Sequence, residues 1–207
     1  MNNAIFEALL TAVTLYGASK LYAIRARPGA MFGAAALLCV TAAASFGILR
    51  YGGVTAGAIV AANDNLAILA TIVAPSWTIA ALLPALRGGQ GALSVAAWWL
   101  VPAAIVVLAF LPATTEIGEI YAQAIGLGML LAMLMAAILL ALRGDGAAGA
   151  ALALGAVSYG VAAFAAMGAF GFEESAALDL FHAGICVWAA GLAFGLIRAA
   201  PASSLAE

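Results

Sequence analysis

The residues best able to do chemistry in this chain are Asp179, His182 and Cys186. At a spacing of i, i+3, i+7 they share one face of a helix. His182 is the only histidine, and an acidic side chain one turn from an imidazole could share a proton with it in a pH-responsive pair. The same stripe offers oxygen, nitrogen and sulfur ligands, so His182 and Asp179 could also serve a transition metal. A plainer reading has Asp179 capping the last helix at its N-terminus. His182 would then bridge to a neighbouring helix or to the interface.

A second polar constellation, Asn63-Asp64-Asn65, interrupts an apolar run. Three consecutive side chains cannot share one helical face. If their helix starts near residue 57, Asp64 lies inside the membrane and needs a partner. If it starts at Asn65, the triplet is a cap at the outer rim. Glu7, about one turn into the first helix, and Glu116, Glu119, Tyr121 and Gln123, where the fifth opens, complete the polar set. Acidic residues near helix N-termini are expected from the dipole alone. Together with Asn63, Asp64, Asp179 and His182, however, they gather at the outer end of an alternating bundle. An outward-open acidic pocket is the functional inference, a solvated acidic rim its bland alternative. Arg50 is the obvious counter-ion or anion contact for such a pocket.

Positioning these side chains falls to seven helices, predicted at roughly 4–23, 30–49, 57–84, 91–111, 118–142, 147–170 and 178–197. The expected fold is all-α, a polytopic seven-transmembrane-helix bundle whose spans each need about twenty residues. Turns are marked by Arg27-Pro28-Gly29, by Arg87 through Gly91, and by Arg143-Gly144-Asp145-Gly146. The stretch from Gly53 to Leu86 exceeds one upright span, so it is either strongly tilted or preceded by an interfacial piece over 53–64. Pro75 would kink either version. Trp77, Trp98 and Trp99 fit an aromatic belt at the cytoplasmic interface. Gly191-x-x-x-Gly195 and Gly53-x-x-x-Gly57 match a small-residue packing pattern that arises easily in so Gly- and Ala-rich a chain.

Composition demands a membrane. The 207 residues are 67% hydrophobic and 8% charged, with a mean hydropathy of +1.18, and a soluble domain of this size has too little interior for that apolar surface. Six of the seven basic residues, Lys20, Arg25, Arg27, Arg87, Arg143 and Arg198, fall on alternate connections; Arg50 is the exception. Cytoplasmic flanks are rich in Lys and Arg, so the N-terminus is expected outside and the C-terminus in the cytoplasm. Met1-Asn2-Asn3 lacks the basic stretch of a signal peptide, which makes the first helix a retained span. Residues 1–200 read as one transmembrane domain and 201–207 as a short flexible cytoplasmic tail. Cys39 and Cys186 lie inside apolar segments and imply no disulfide. A bacterial inner membrane is the expected location. Membrane lipids and other membrane-protein subunits are the expected partners, with no nucleic acid.

Absences narrow the chemistry. The only lysine, Lys20, ends the first helix, so the last helix offers no Schiff-base lysine for retinal. One histidine precludes bis-histidine haem ligation within the chain, and no P-loop, CxxC or HExxH occurs. The stretch Asp179-Leu180-Phe181-His182, leading into Ala-rich sequence up to Arg198, resembles a motif of uncharacterised bacterial seven-helix proteins. These are distantly similar to the superfamily of alkaline ceramidases and progestin/adiponectin-receptor-like proteins. That resemblance implies seven helices and, in the hydrolases, a zinc ion held by three histidines with Asp and Ser nearby. Only His182 and Asp179 match such a set, so zinc hydrolysis is not expected. Two functional readings stand nearly level. One is a non-enzymatic bundle whose outer pocket takes a small ligand, a lipid headgroup or a proton. The other is an accessory or structural subunit of a larger membrane complex. A ceramidase-like metal-dependent hydrolase ranks third.

Overall fold

The computed structural model describes residues 2–87, 92–111 and 115–199, and every regular element among them is a helix. In chain order these are α1 (Asn2–Ala23), α2 (Ala30–Tyr51), α3 (Gly57–Arg87), α4 (Ala92–Ala109), α5 (Thr115–Leu142), α6 (Gly146–Ala166) and α7 (Glu174–Arg198). Runs of Ala, Leu and Met favour helix, and in lipid a helix pairs its own backbone groups. Among the described residues six helices are long and apolar enough to cross a membrane, which makes this an integral membrane protein in character. The expected turn over 88–91, the loop at 112–114 and the tail at 201–207 lie outside the described residues, as does the side chain of Trp98.

Large apolar side chains divide between two environments. Leu21, Leu37, Met129, Met133, Leu152, Trp188 and Leu192 are fully enclosed, whereas Leu100, Leu127, Met135, Leu142 and Leu154 point outward. Water would not tolerate so much exposed hydrocarbon; a bilayer does. Helix contact relies on small residues, as it must where lipid tails match the side chains in polarity. A Cβ on Gly184 would stand 2.5 Å from Ala162 Cβ and 2.6 Å from the Ser158 carbonyl oxygen, so α7 meets α6 almost backbone to backbone. Gly195 likewise abuts Leu152, at 2.6 Å from Cγ. The Gly191–Gly195 pair therefore serves packing within the chain, while Gly53 and Gly57 have nothing within 4 Å.

The third helix takes the earlier of its two expected starts, and the boundaries of the sixth and seventh differ from expectation. The third helix is continuous from Gly57, with Pro75 and Pro84 inside it, and no separate piece covers 57–64. At 1.5 Å per residue it is about 46 Å long, an excess over the bilayer core that tilting accommodates. The sixth helix stops at Ala166, and glycines at positive φ, Gly168 (76°) and Gly171 (65°), shape the connection that follows. The seventh begins at Glu174, so Asp179 is not its cap; Glu173 holds that position without a side-chain bond. Asp179 lies in the second turn, where it cannot reach the unpaired N–H groups of the helix end.

One end of the bundle is knit by basic residues. Arg27 donates to the Ile197 carbonyl at 3.4 Å and Arg143 to the Ala85 carbonyl at 2.8 Å. Arg198 meets Asp145 at 3.4 Å, and Asp145 caps α6 through Ala148 N–H at 3.1 Å. Near this end Trp99 stacks obliquely on Trp77 and Phe32, at centroid distances of 4.6 and 5.2 Å. The opposite end carries the starts of α1, α3, α5 and α7 and holds the candidate site.

Candidate functional site: a buried carboxylate–imidazole pair

Glu7 and His182 meet at the polar end. Glu7 sits in the second turn of α1 and His182 in the third turn of α7, and Oε1 lies 3.1 Å from Nε2. Both residues are buried, with exposures of 6% and 5%. Two ionisable groups withdrawn from solvent persist only when paired, because the desolvation of each is otherwise uncompensated. Gly47 of α2 completes the enclosure. A Cβ there would stand 2.5 Å from the Glu7 carboxyl carbon, so only a glycine lets the carboxylate lie flat against α2.

Below the pair, α1 presents Thr11 and Thr14 at i+4 and i+7 from Glu7, on the same face. Thr14 donates to the Leu10 carbonyl at 2.7 Å, and Thr41 of α2 lies 2.8 Å from the Thr14 hydroxyl. The Thr11 hydroxyl is buried without a partner. Sequence reasoning missed Thr11, Thr14, Thr41 and Gly47. The signal for the α1 residues was present as a Glu-Thr-Thr stripe at helical spacing; nothing in the sequence marked Thr41 or Gly47.

The polar residues expected to converge divide into three groups. Arg50, at the end of α2, bonds Asn63 Oδ1 at 2.9 Å and forms an ion pair with Asp64. Asn63 is buried and donates to the Ala43 carbonyl at 3.1 Å. Arg50 thus takes Asp64, one member of the expected pocket, as its ion-pair partner, and no bond joins it to Glu7 or His182. Asp64 does not meet His182 either. Further along, Tyr121 shares a hydrogen bond of 2.9 Å with Ser76 of α3, one helix pair away. Glu116, Glu119 and Gln123 are exposed on α5 and fit the solvated-rim reading.

Asp179 and His182 do lie one turn apart, yet His182 takes Glu7 as its partner. Oδ1 of Asp179 and Nδ1 of His182 are both buried and bond to nothing. Cys186 continues the face as a buried thiol. Among the described residues no three His, Cys, Asp or Glu side chains are grouped as a metal would require, so the Asp179–His182 metal pairing gains no third ligand. The chain matches no family model, no curated protein and no solved structure.

Proposed function

We propose that the protein is a seven-span membrane protein, N-terminus outside, that binds a small polar ligand or a proton at its outer end through Glu7 and His182. The observation that carries this reading is the buried Glu7–His182 pair, drawn from opposite ends of the sequence and bordered by two unsatisfied polar atoms, Asp179 Oδ1 and His182 Nδ1. Buried ionisable groups in a membrane bundle are costly and are functional candidates for that reason. A purely structural contact would be served as well by an apolar pair. Orientation follows from Lys20, Arg25, Arg27, Arg143 and Arg198 flanking the end away from the pair. Asp64, Asn63 and Arg50 form a neighbouring polar lock in this reading. Catalysis of the ceramidase type is not proposed, because a lone histidine cannot supply three zinc ligands.

Native mass spectrometry on protein extracted gently from its membrane tests the proposal. A discrete small adduct retained by the wild type and lost from His182→Gln is the expected result. A large specific assembly carrying no small ligand would instead make the chain a subunit and its polar end an interface.

A further inference from the structure

We infer that the basic end of the bundle carries a docking surface for an anionic phospholipid, formed on the exposed side of α1 and the turn after it by Lys20 and Arg25 with Tyr16 and Tyr22. The basic side chains described at this end divide by what they touch. Three are committed to the bundle itself: Arg27 bonds the Ile197 carbonyl, Arg143 the Ala85 carbonyl, and Arg198 meets Asp145. Lys20 and Arg25 are not. Both are exposed, and among the described residues neither meets a carboxylate. Each instead lies over a tyrosine ring of its own segment. Lys20 Nζ is 5.2 Å from the centre of Tyr16, and the Arg25 guanidinium is 4.7 Å from the centre of Tyr22. Arg25 also donates to the Tyr22 carbonyl at 3.4 Å. Packing between helices therefore employs neither of these two charges.

Their placement suits a lipid. Tyr16 and Tyr22 are exposed near the end of a helix long and apolar enough to span a membrane, where tyrosine and basic side chains sit at headgroup level. Successive residues of a helix turn by about 100°, which sets Ser19 and Ala23 between the two cation–ring pairs. Both are small and exposed, and the Ser19 hydroxyl is turned back onto the Tyr16 carbonyl at 2.7 Å. A strip of low relief thus runs between two aromatic walls, each topped by a cation. Toward the middle of the helix it continues over exposed Ala12 and Leu15, which offer an acyl chain an apolar track. Charge selects the headgroup. Two cations without a carboxylate favour a net anion, and a zwitterionic headgroup brings an ammonium of its own that meets repulsion. A soluble anion would leave the rings and the apolar track unused.

Native mass spectrometry of delipidated protein in non-ionic detergent tests this surface, by titration with phosphatidylglycerol or with phosphatidylcholine of the same acyl chains. The wild type should take up phosphatidylglycerol saturably, at concentrations at least about tenfold below those needed for phosphatidylcholine. A basic residue near anionic headgroups is worth about a fivefold preference. Lys20→Gln and Arg25→Gln should each remove about that much, and the double variant nearly all of it. Arg198→Gln deletes the same charge from a side chain held by Asp145 and should leave the preference unchanged. Equal uptake of the two lipids by the wild type, which needs no variant to fold, would overturn the inference. So would an equal loss from Arg198→Gln, which would reduce the effect to net charge. Displacement of the lipid by soluble glycerol phosphate would overturn it as well, by making the ligand a soluble anion.

Discussion

Substituting Gly47 by alanine tests whether the fold was shaped around the Glu7–His182 contact. The new Cβ would stand 2.5 Å from Glu7 Cδ and 3.0 Å from Cγ. Carbon atoms settle at roughly 3.5–4.0 Å, so the carboxyl carbon must retreat by about 1 Å or more. His182 lies on a different helix and does not follow, so the 3.1 Å bond stretches beyond the range in which a hydrogen bond persists. Leaving a buried polar partner unsatisfied costs about 1–3 kcal/mol. The assay is reversible unfolding in mixed micelles, run as a double-mutant cycle with Glu7→Ala. With the carboxylate gone the alanine methyl has room, so Gly47→Ala should then cost within about 0.5 kcal/mol of nothing, giving a coupling of about 1–3 kcal/mol. An equal cost in both backgrounds would mean that Gly47 serves general helix packing and that the pair does not depend on it.

Other substitutions separate packing from polar contacts. Gly149→Ala drives a methyl to 2.6 Å from the Ala137 carbonyl oxygen, a backbone atom that cannot rotate away, whereas Gly160→Ala meets only Leu130 at 3.7 Å. The first should cost about 1–3 kcal/mol by overpacking and the second should be neutral in the same unfolding assay; equal effects would refute the close α5–α6 approach. Asp64→Asn removes the charge from a pair whose side chains are 54% and 31% exposed. It should change stability by no more than about 1 kcal/mol, and a larger loss would mean that the lock at Arg50 supports the buried pair. Orientation is read by a membrane-impermeant maleimide on variants in which Cys39 and Cys186 are alanine. Glu173→Cys should label in intact cells and Arg25→Cys only after permeabilisation; the reverse pattern would invert the topology.

Much of this protein is decided locally, and local features are legible in a linear chain. Apolar runs near bilayer length, broken at Arg27-Pro28-Gly29 and Arg143-Gly144, mark where helices begin and end because lipid allows few alternatives for the backbone. Segregation of Lys and Arg to alternate connections orders the ends before any contact is known. The boundaries that shifted were those of α6 and α7, where Gly168 and Gly171 flank a stretch whose composition changes little across the turn. That shift alone removed the capping role of Asp179.

The choice of partners was different. Asp179 is three residues from His182 and Glu7 is 175 away, yet only Glu7 makes the bond. Side chains one turn apart on a helix point along roughly the same direction and need not converge. Two helices in contact can aim their side chains at one another. Packing of α1 on α7, with Gly47 of α2 making room for a carboxylate, selected the distant acid over the near one. Arg50 was likewise drawn to Asp64 and Asn63 by the α2–α3 contact, which leaves it unbonded to Glu7 and His182. Residue type and spacing along the chain settle which side chains are polar and which end of the bundle gathers them. Which of them touch depends on the rotation of each helix about its axis, and that rotation is set by small residues such as Gly47 and Gly184 meeting their neighbours.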